Sequence, residues 1–194
     1  MEPTMWGPGL WHILFSITWN CRNPQELPDL LRVILFSVPT LLPCRLCQQH
    51  YVRNHSSLKR RYGEPSTAEE AFRWLYYLKD AVNKTLHTRS LPFEEFRTRY
   101  VTFGGNLDDV LVADTLLLIA IGNQDNADGD DDVFIEFCLI LSRLLPLPND
   151  SELLKCLSCA CKPIVTHAYR ACKRTRMEHG ITFPTLSHVR KTLS

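Results

Sequence analysis

The chain has 194 residues, of which 45% are hydrophobic and 22% charged, with a net charge of +1 and eight cysteines. That suits one globular domain, or a domain of about 100 residues with a substantial extension. The near-neutral charge offers no electrostatic basis for binding nucleic acid or an anionic membrane, and no segment reaches the roughly 20 apolar residues that span a bilayer. The opening Met-Glu-Pro-Thr lacks the basic stretch of a signal peptide, so a cytoplasmic location is expected. Eight cysteines are many for a compartment that disfavours structural disulfides, and they point to redox catalysis or metal binding.

Apolar residues recur at helical spacing almost throughout and no alternating strand pattern occurs, so the expected fold class is all-α. Leu10, Trp11, Leu14, Phe15 and Ile17 mark a first helix from Gly7 to Trp19. Pro24 opens a second, whose apolar stripe of Leu27, Leu30, Leu31, Ile34 and Leu35 ends before Pro39. A third starts at Cys44 and runs to about His55. Ser66-x-x-Glu69 and Thr67-x-x-Glu70 are overlapping capping boxes for a fourth, reaching about Leu86. Pro92 opens a short fifth, stopped by Gly104-Gly105.

These helices fill residues 1–105; residues 106–194 form an additional helical extension of open role. In it, Asn106-x-x-Asp109 caps a helix to Ile121, and an acidic loop spans Asn123 to Asp132. A helix from Val133 to Leu145 and a linker at Pro146 and Pro148 follow. One cysteine-rich helix then runs from about Ser151 to Arg176, and a short terminal helix follows Gly180 and Pro184. The acidic loop fails as a calcium site: with Gly129 sixth, the twelfth residue is Ile135, and Glu136 falls one place late.

Cys44-Arg45-Leu46-Cys47 carries the chemistry. In the first turn of a helix, unpaired backbone N–H groups and the positive helix end favour a thiolate, while Pro43 suits a pre-helical position that exposes the pair. The preceding segment is helical, which argues against a thioredoxin fold. Cys-x-x-Cys alone leaves redox chemistry and zinc both open. Thiols react slowly with oxygen, so net disulfide formation by such a pair needs an adjacent electron carrier.

Three blocks in order resemble the Erv/ALR family of FAD-dependent sulfhydryl oxidases over about residues 4–105. They are Gly7, Trp11 and Leu14; then Cys44 and Cys47 with Tyr51 at the position of the family aromatic; then Val82 and Asn83. Arg99-Tyr100 falls where the family's short fifth helix sets a basic-aromatic pair against the flavin. The resemblance implies a four-helix bundle plus a short fifth helix binding FAD between helices. It implies Cys47 as the thiolate beside the flavin and Cys44 as the interchange thiol attacked by substrate. It also implies a cofactor site drawn from Trp6, Gly7, Trp11, Phe15, Cys47, Tyr51, Tyr76, Lys79, Asp80, Val82, Asn83, Lys84 and Tyr100.

Phe15 stands where the family has histidine, and Lys79-Asp80 replaces histidine-asparagine. Phe15 keeps an aromatic face for the adenine, Lys79 suits the cofactor's phosphates, and Asp80 can accept a hydrogen bond. The family's extra cysteine pair flanking the fourth helix is missing. Such abbreviated versions resemble those of large cytoplasmic DNA viruses, which fits a host-cytoplasm or virion location. The implied partners are protein thiol substrates, thioredoxin-like carriers among them, with oxygen as acceptor. A homodimer packed through the first two helices is also implied, consistent with the Leu27–Leu35 stripe; no nucleic acid or membrane partner is expected.

Other features read more plainly. Core packing is the plain reading of Trp6, Trp11 and Trp74; the motif spacing turns Trp11 towards cofactor contact and leaves both readings open for Trp6 and Trp74. His50 is a polar lining residue rather than a metal ligand, and no metal site is assigned. Cys156, Cys159, Cys161 and Cys172 admit three readings: a Cys₄ zinc site, a second redox pair of the kind many relatives use as a relay, or inert buried thiols. The function expected is an FAD-dependent thiol oxidase. The alternative is a non-enzymatic, zinc-stabilised helical interaction protein.

Overall fold

The computed structural model describes residues 2–102, 107–124 and 130–182. Among these residues there is no strand, and the fold is all-α. The first half comprises α1 (Pro3–Asn20), a 3₁₀ turn (Pro24–Glu26), α2 (Leu27–Arg32), a π-helical stretch (Val33–Ser37), α3 (Val38–Leu41), α4 (Arg45–Tyr62), α5 (Ala68–Thr85) and α6 (Phe93–Thr102). The second comprises α7 (Asp109–Gln124), α8 (Asp131–Leu144), α9 (Glu152–Leu157) and α10 (Ile164–Glu178).

α1 is buried on two sides. Gly7, Trp11 and Phe15 recur every four residues along the side that meets α5 and α6. Gly9, Leu10 and Ile13 lie along the side that meets α7, and helical spacing adds Trp6 to that strip. Gly9 is there for room, since a Cβ on it would lie 1.8 Å from Thr115 Oγ1. One turn further, the Asp108 N–H donates to His12 Nε2 at 3.3 Å. The order of these contacts makes α7 antiparallel to α1.

The second helical stretch does not stop before Pro39, as its sequence suggests. It shifts register instead. The Val38 N–H bonds the Val33 carbonyl, five residues back. In that register the Ile34 carbonyl would take its proton from Pro39, which has none. Tyr51 resolves the deficit: its buried hydroxyl donates to Ile34 O at 2.7 Å. The helix thus passes Pro39 and ends at Leu41.

α4 extends past the expected His55 to Tyr62, because Lys59, Arg60 and Arg61 suit a helix C-terminus and Gly63, at φ +78°, supplies the left-handed cap. Thr67 caps α5 by accepting from the Glu70 N–H at 3.1 Å, while the Glu70 carboxylate accepts from the Ser66 N–H at 2.7 Å. α8 lies across α2 and the π stretch. Arg32 donates to both carboxylate oxygens of Glu136 (2.6 and 2.8 Å), and Arg143 reaches Asp29 at 2.6 Å. Leu30 and Ile34, the centre of the apolar stripe, are buried within this one chain.

The cysteine-rich segment is two helices rather than one, with the break at residues 158–163. Pro163 is the cause, since a proline inside a helix forfeits a hydrogen bond and clashes with the preceding turn. α10 then clamps α7. Arg176 forms a two-pronged pair with Asp114, through Nε at 2.9 Å and through Nη2, and the Cys172 thiol donates to the same carboxylate at 2.9 Å. The cap of α7 is Asp108, accepting from the Leu111 N–H at 2.9 Å. The acidic segment caps α8 through Asp130, which accepts from the Asp132 and Val133 N–H groups. Gly104-Gly105, Asn106, Gly129, Pro184 and the terminal helix fall outside the described residues. Buried side chains from both halves form one continuous cluster.

Tyr51→Phe should destabilise the fold by about 1–3 kcal/mol, the cost of leaving one buried carbonyl dry. Chemical denaturation of the two proteins measures it; equal midpoints would mean that water or another donor satisfies Ile34.

Candidate redox site

Cys44 is the N-cap of α4 and Cys47 its third residue. They form a disulfide with Cα atoms 5.1 Å apart, and both are half-buried against the core. The Cys47 N–H points at Cys44 Sγ, 3.2 Å away, so one of the orphan donors of the helix start serves the sulfur. Gln48, one turn in, donates to the carbonyls of Thr40 (3.1 Å) and Leu42 (3.0 Å) and ties down the chain leading into the pair. Pro43 takes the expected pre-helical position and is itself buried, and the pair after it is half-buried rather than fully exposed.

α4 and α5 pack as an antiparallel hairpin, with His55 and Trp74 meeting edge to face at 5.3 Å near its middle. The hairpin therefore brings the start of α4 to the same end as the last turns of α5. There a cleft of about 310 Å³ is lined by Tyr76, Lys79, Asp80, Asn83, Ser90 and Phe96, among others. Tyr76 donates to Leu91 O at 2.5 Å and Asn83 Nδ2 to Ser90 Oγ at 3.0 Å, which fixes the loop that closes the cleft. Val82 is half-buried beside Asn83.

Lys79 lies with its ammonium 5.6 Å from the Trp11 ring centre, and it has no ion pair among the described residues. Burial holds its pKa below the usual lysine value. Asp80 has the opposite balance: burial disfavours its charge, but bonds from Lys84 and Ser90 outweigh that and hold its pKa down. Lys84 itself is exposed, 2.6 Å from Asp80.

Phe15 is only 2% exposed, enclosed by Phe96 (4.9 Å), Phe72 (5.3 Å), Tyr100 (6.0 Å) and Trp11 (6.1 Å between centroids). The Tyr100 hydroxyl pairs with Ser16 Oγ at 2.9 Å. The structure thus gathers Trp11, Phe15, Tyr76, Lys79, Asp80, Asn83 and Tyr100 into one contiguous surface and interior. Helical spacing puts Trp6 on the α7 side of α1, and Tyr51 lies with its hydroxyl on Ile34. Ser90 and Phe96 join the cleft without having been singled out; the spacing of Phe96 from Tyr100, one helical turn, was the available signal.

Whether this surface suits FAD can be judged from Gly7. It shares the Trp11 side of α1, and a Cβ on it would meet nothing within 4 Å. Unlike Gly9, it is not required by the protein's own packing. Open space beside a half-buried indole, an unpaired ammonium and a polar cleft is the donor set a flat ring system with phosphates needs. The residues fit the group.

In the C-terminal region, Cys156 and Cys172 are buried and Cys159 and Cys161 exposed, and none is in a disulfide. Burial raises the Cys156 pKa, and burial with the Asp114 carboxylate raises that of Cys172, so neither is primed to react. Cys161 Sγ lies 3.9 Å from His167 Nδ1. Among the described residues, no three His, Cys, Asp or Glu side chains converge to hold a metal. No described helix is long and apolar enough to cross a membrane.

Because Lys79 has a folded pKa below its ordinary 10.5, the unfolded chain binds more protons between the two values, and stability rises with pH there. Wild type should therefore gain stability relative to Lys79→Met as pH climbs towards 10.5. Urea melts at pH 7 and on the alkaline side test this; a pH-independent difference would place Lys79 in water.

Comparison with curated proteins and with solved structures finds no significant match. Residues 8–101 match the Erv1 / Alr family, a span holding Trp11, the Cys44–Cys47 pair, Lys79, Asn83 and Tyr100. That family is FAD-binding and known for FAD-linked sulfhydryl oxidase activity. Over residues 8–101 this helical bundle is therefore similar to the Erv1 / Alr family.

Proposed function

We propose that the chain is an FAD-dependent thiol oxidase that forms disulfides in protein substrates, with oxygen as the final acceptor and hydrogen peroxide as product. The observation that carries this reading is the Cys44–Cys47 disulfide at the start of α4, at the same end of the hairpin as the Lys79–Asn83 cleft. FAD, when bound, supplies the two-electron acceptor that the cysteines need to pass electrons to oxygen. Trp11, Tyr76 and Tyr100 would hold its rings, Lys79 its phosphates, and Val82 and Asn83 its remaining edge.

The chain's own part is thiol–disulfide exchange. A substrate thiolate attacks Cys44 Sγ, forming a mixed disulfide, and the Cys44–Cys47 bond breaks with Cys47 leaving as thiolate. The substrate's second thiolate attacks the substrate sulfur of that mixed disulfide and releases Cys44. Two substrate thiols become one disulfide; two electrons and two protons move to the cysteine pair. The Cys47 N–H on Cys44 Sγ draws density from the sulfur under attack and steadies the Cys44 thiolate released in the second step. Substrates are dithiol proteins of the cytoplasm, thioredoxin-like carriers among them.

Cys44→Ala and Cys47→Ala should each reduce oxygen consumption with dithiothreitol to background while the protein stays helical and yellow. Near-wild-type activity in either variant refutes the reading. Trp11→Ala and Asn83→Ala should lose flavin on prolonged dialysis, read as absorbance per protein; full retention would move the cofactor elsewhere.

A further inference from the structure

The C-terminal half reaches the redox loop. At Gly122, in the last turn of α7, a Cβ would lie 2.2 Å from Pro43 Cβ and 3.4 Å from its Cα, so the helix backbone presses on the residue before Cys44. Gln48 pins the same connection from α4 through the Thr40 and Leu42 carbonyls. The chain entering Cys44 is thus held between two helices. Next to Gly122, Asn123 is 2% exposed, and among the described residues neither its Oδ1 nor its Nδ2 has a hydrogen-bond partner. A dry, unbonded amide is costly, and leucine, of similar size, would avoid that cost. Folding alone does not explain an asparagine here.

In the structure the Cys44–Cys47 bond is closed. Opening it separates two sulfurs and lifts a covalent constraint from the backbone at Cys44, whose neighbour Pro43 is seated on Gly122. We propose that Asn123 is a positioning residue for the Cys44–Cys47 couple: its amide bonds the Pro43–Cys44 backbone when the disulfide opens. This rests on the thiol-oxidase reading above and makes α7 a wall of the redox site. The half-reaction is the one already written, two electrons and two protons from a substrate dithiol converting the disulfide to two thiols. Asn123 favours the dithiol side, which makes the pair a stronger oxidant.

The test equilibrates the full-length protein in dithiothreitol buffers of graded redox state and counts Cys44 and Cys47 thiols by alkylation and mass spectrometry. Asn123→Leu should move the equilibrium at least about tenfold towards the disulfide, roughly 30 mV, without lowering the melting temperature of the oxidised protein. Asn123→Ala should move it the same way should the leucine variant fold poorly. Thr115→Ala, which loosens the α1–α7 contact away from Pro43, should lower stability and leave the equilibrium unchanged. Asparagine variants that titrate with wild type overturn the inference, and so does an equal shift in Thr115→Ala, which would make the effect general packing. A wild-type pair that does not titrate reversibly overturns the thiol-oxidase reading, and this inference with it.

Discussion

The double burial of α1 is the constraint on which the molecule depends. A helix covered on one side only would carry a single apolar stripe, with polar residues opposite. α1 is buried from Ile13 through Thr18 without interruption. Its polar residues survive there only because each has a partner: Ser16 meets the Tyr100 hydroxyl, and Thr18 donates to the Leu14 carbonyl at 2.7 Å. Gly9 then admits α7 at a distance no side chain would allow, and the Asp114–Arg176 pair secures α7 from behind. The division at residue 105 therefore separates the motif-bearing part from the extension but does not divide the packing. Of the stripe that the resemblance assigns to a partner subunit, Leu30 and Ile34 are buried within the chain, whereas Leu27, Leu31 and Leu35 are half-buried.

The same economy of contacts fixes the chemistry. Cys44 can cap α4 because the preceding chain arrives extended, and it arrives extended because α3 ends at Leu41. That end follows the register shift before Pro39, which Tyr51 makes tolerable from twelve residues beyond that proline. Gln48 and Gly122 close on the connection from either side. The redox pair thus inherits its geometry from a chain of backbone requirements, each met by a named side chain.

What was legible in the sequence was what depends on near neighbours. The capping box at Thr67 and Glu70, the prolines that open helices and the Cys-x-x-Cys spacing all act within a turn or two, and so does the helical spacing of apolar residues from which the all-α class followed. Other features needed distant partners. Pro39 reads as a stop unless Tyr51 is known to serve Ile34. Gly122 follows the expected helix end at Ile121 and reads as an ordinary stop, whereas α7 runs through it to Gln124. Asn123 reads as a loop residue, and only its burial makes it unusual. The break at Pro163 was different: its signal was local, and the cysteine spacing around it obscured an ordinary helix stop. At the site, the aromatic and polar lining could be placed by motif, whereas the burial of Phe15 and the position of Trp6 on the α7 side depend on how α1 is rotated in the bundle.

The departures at Phe15 and Lys79 belong together physically. A histidine at position 15 would carry two ring nitrogens into a pocket of four other rings, and each would need a partner that Phe72 and Phe96 cannot supply. Phenylalanine removes that requirement and lets the interior close, at the cost of a polar group facing the cleft. Lys79 returns one to that side. Its stem crosses apolar surface and its ammonium rests over Trp11, desolvated enough to depress its pKa yet without a carboxylate to neutralise it. A cation in that condition gains more from an incoming phosphate than a solvated one would, because less hydration is lost when the anion arrives. Polarity withdrawn from the core of α1 thus reappears at the mouth of the cleft, as an anion-seeking group on α5.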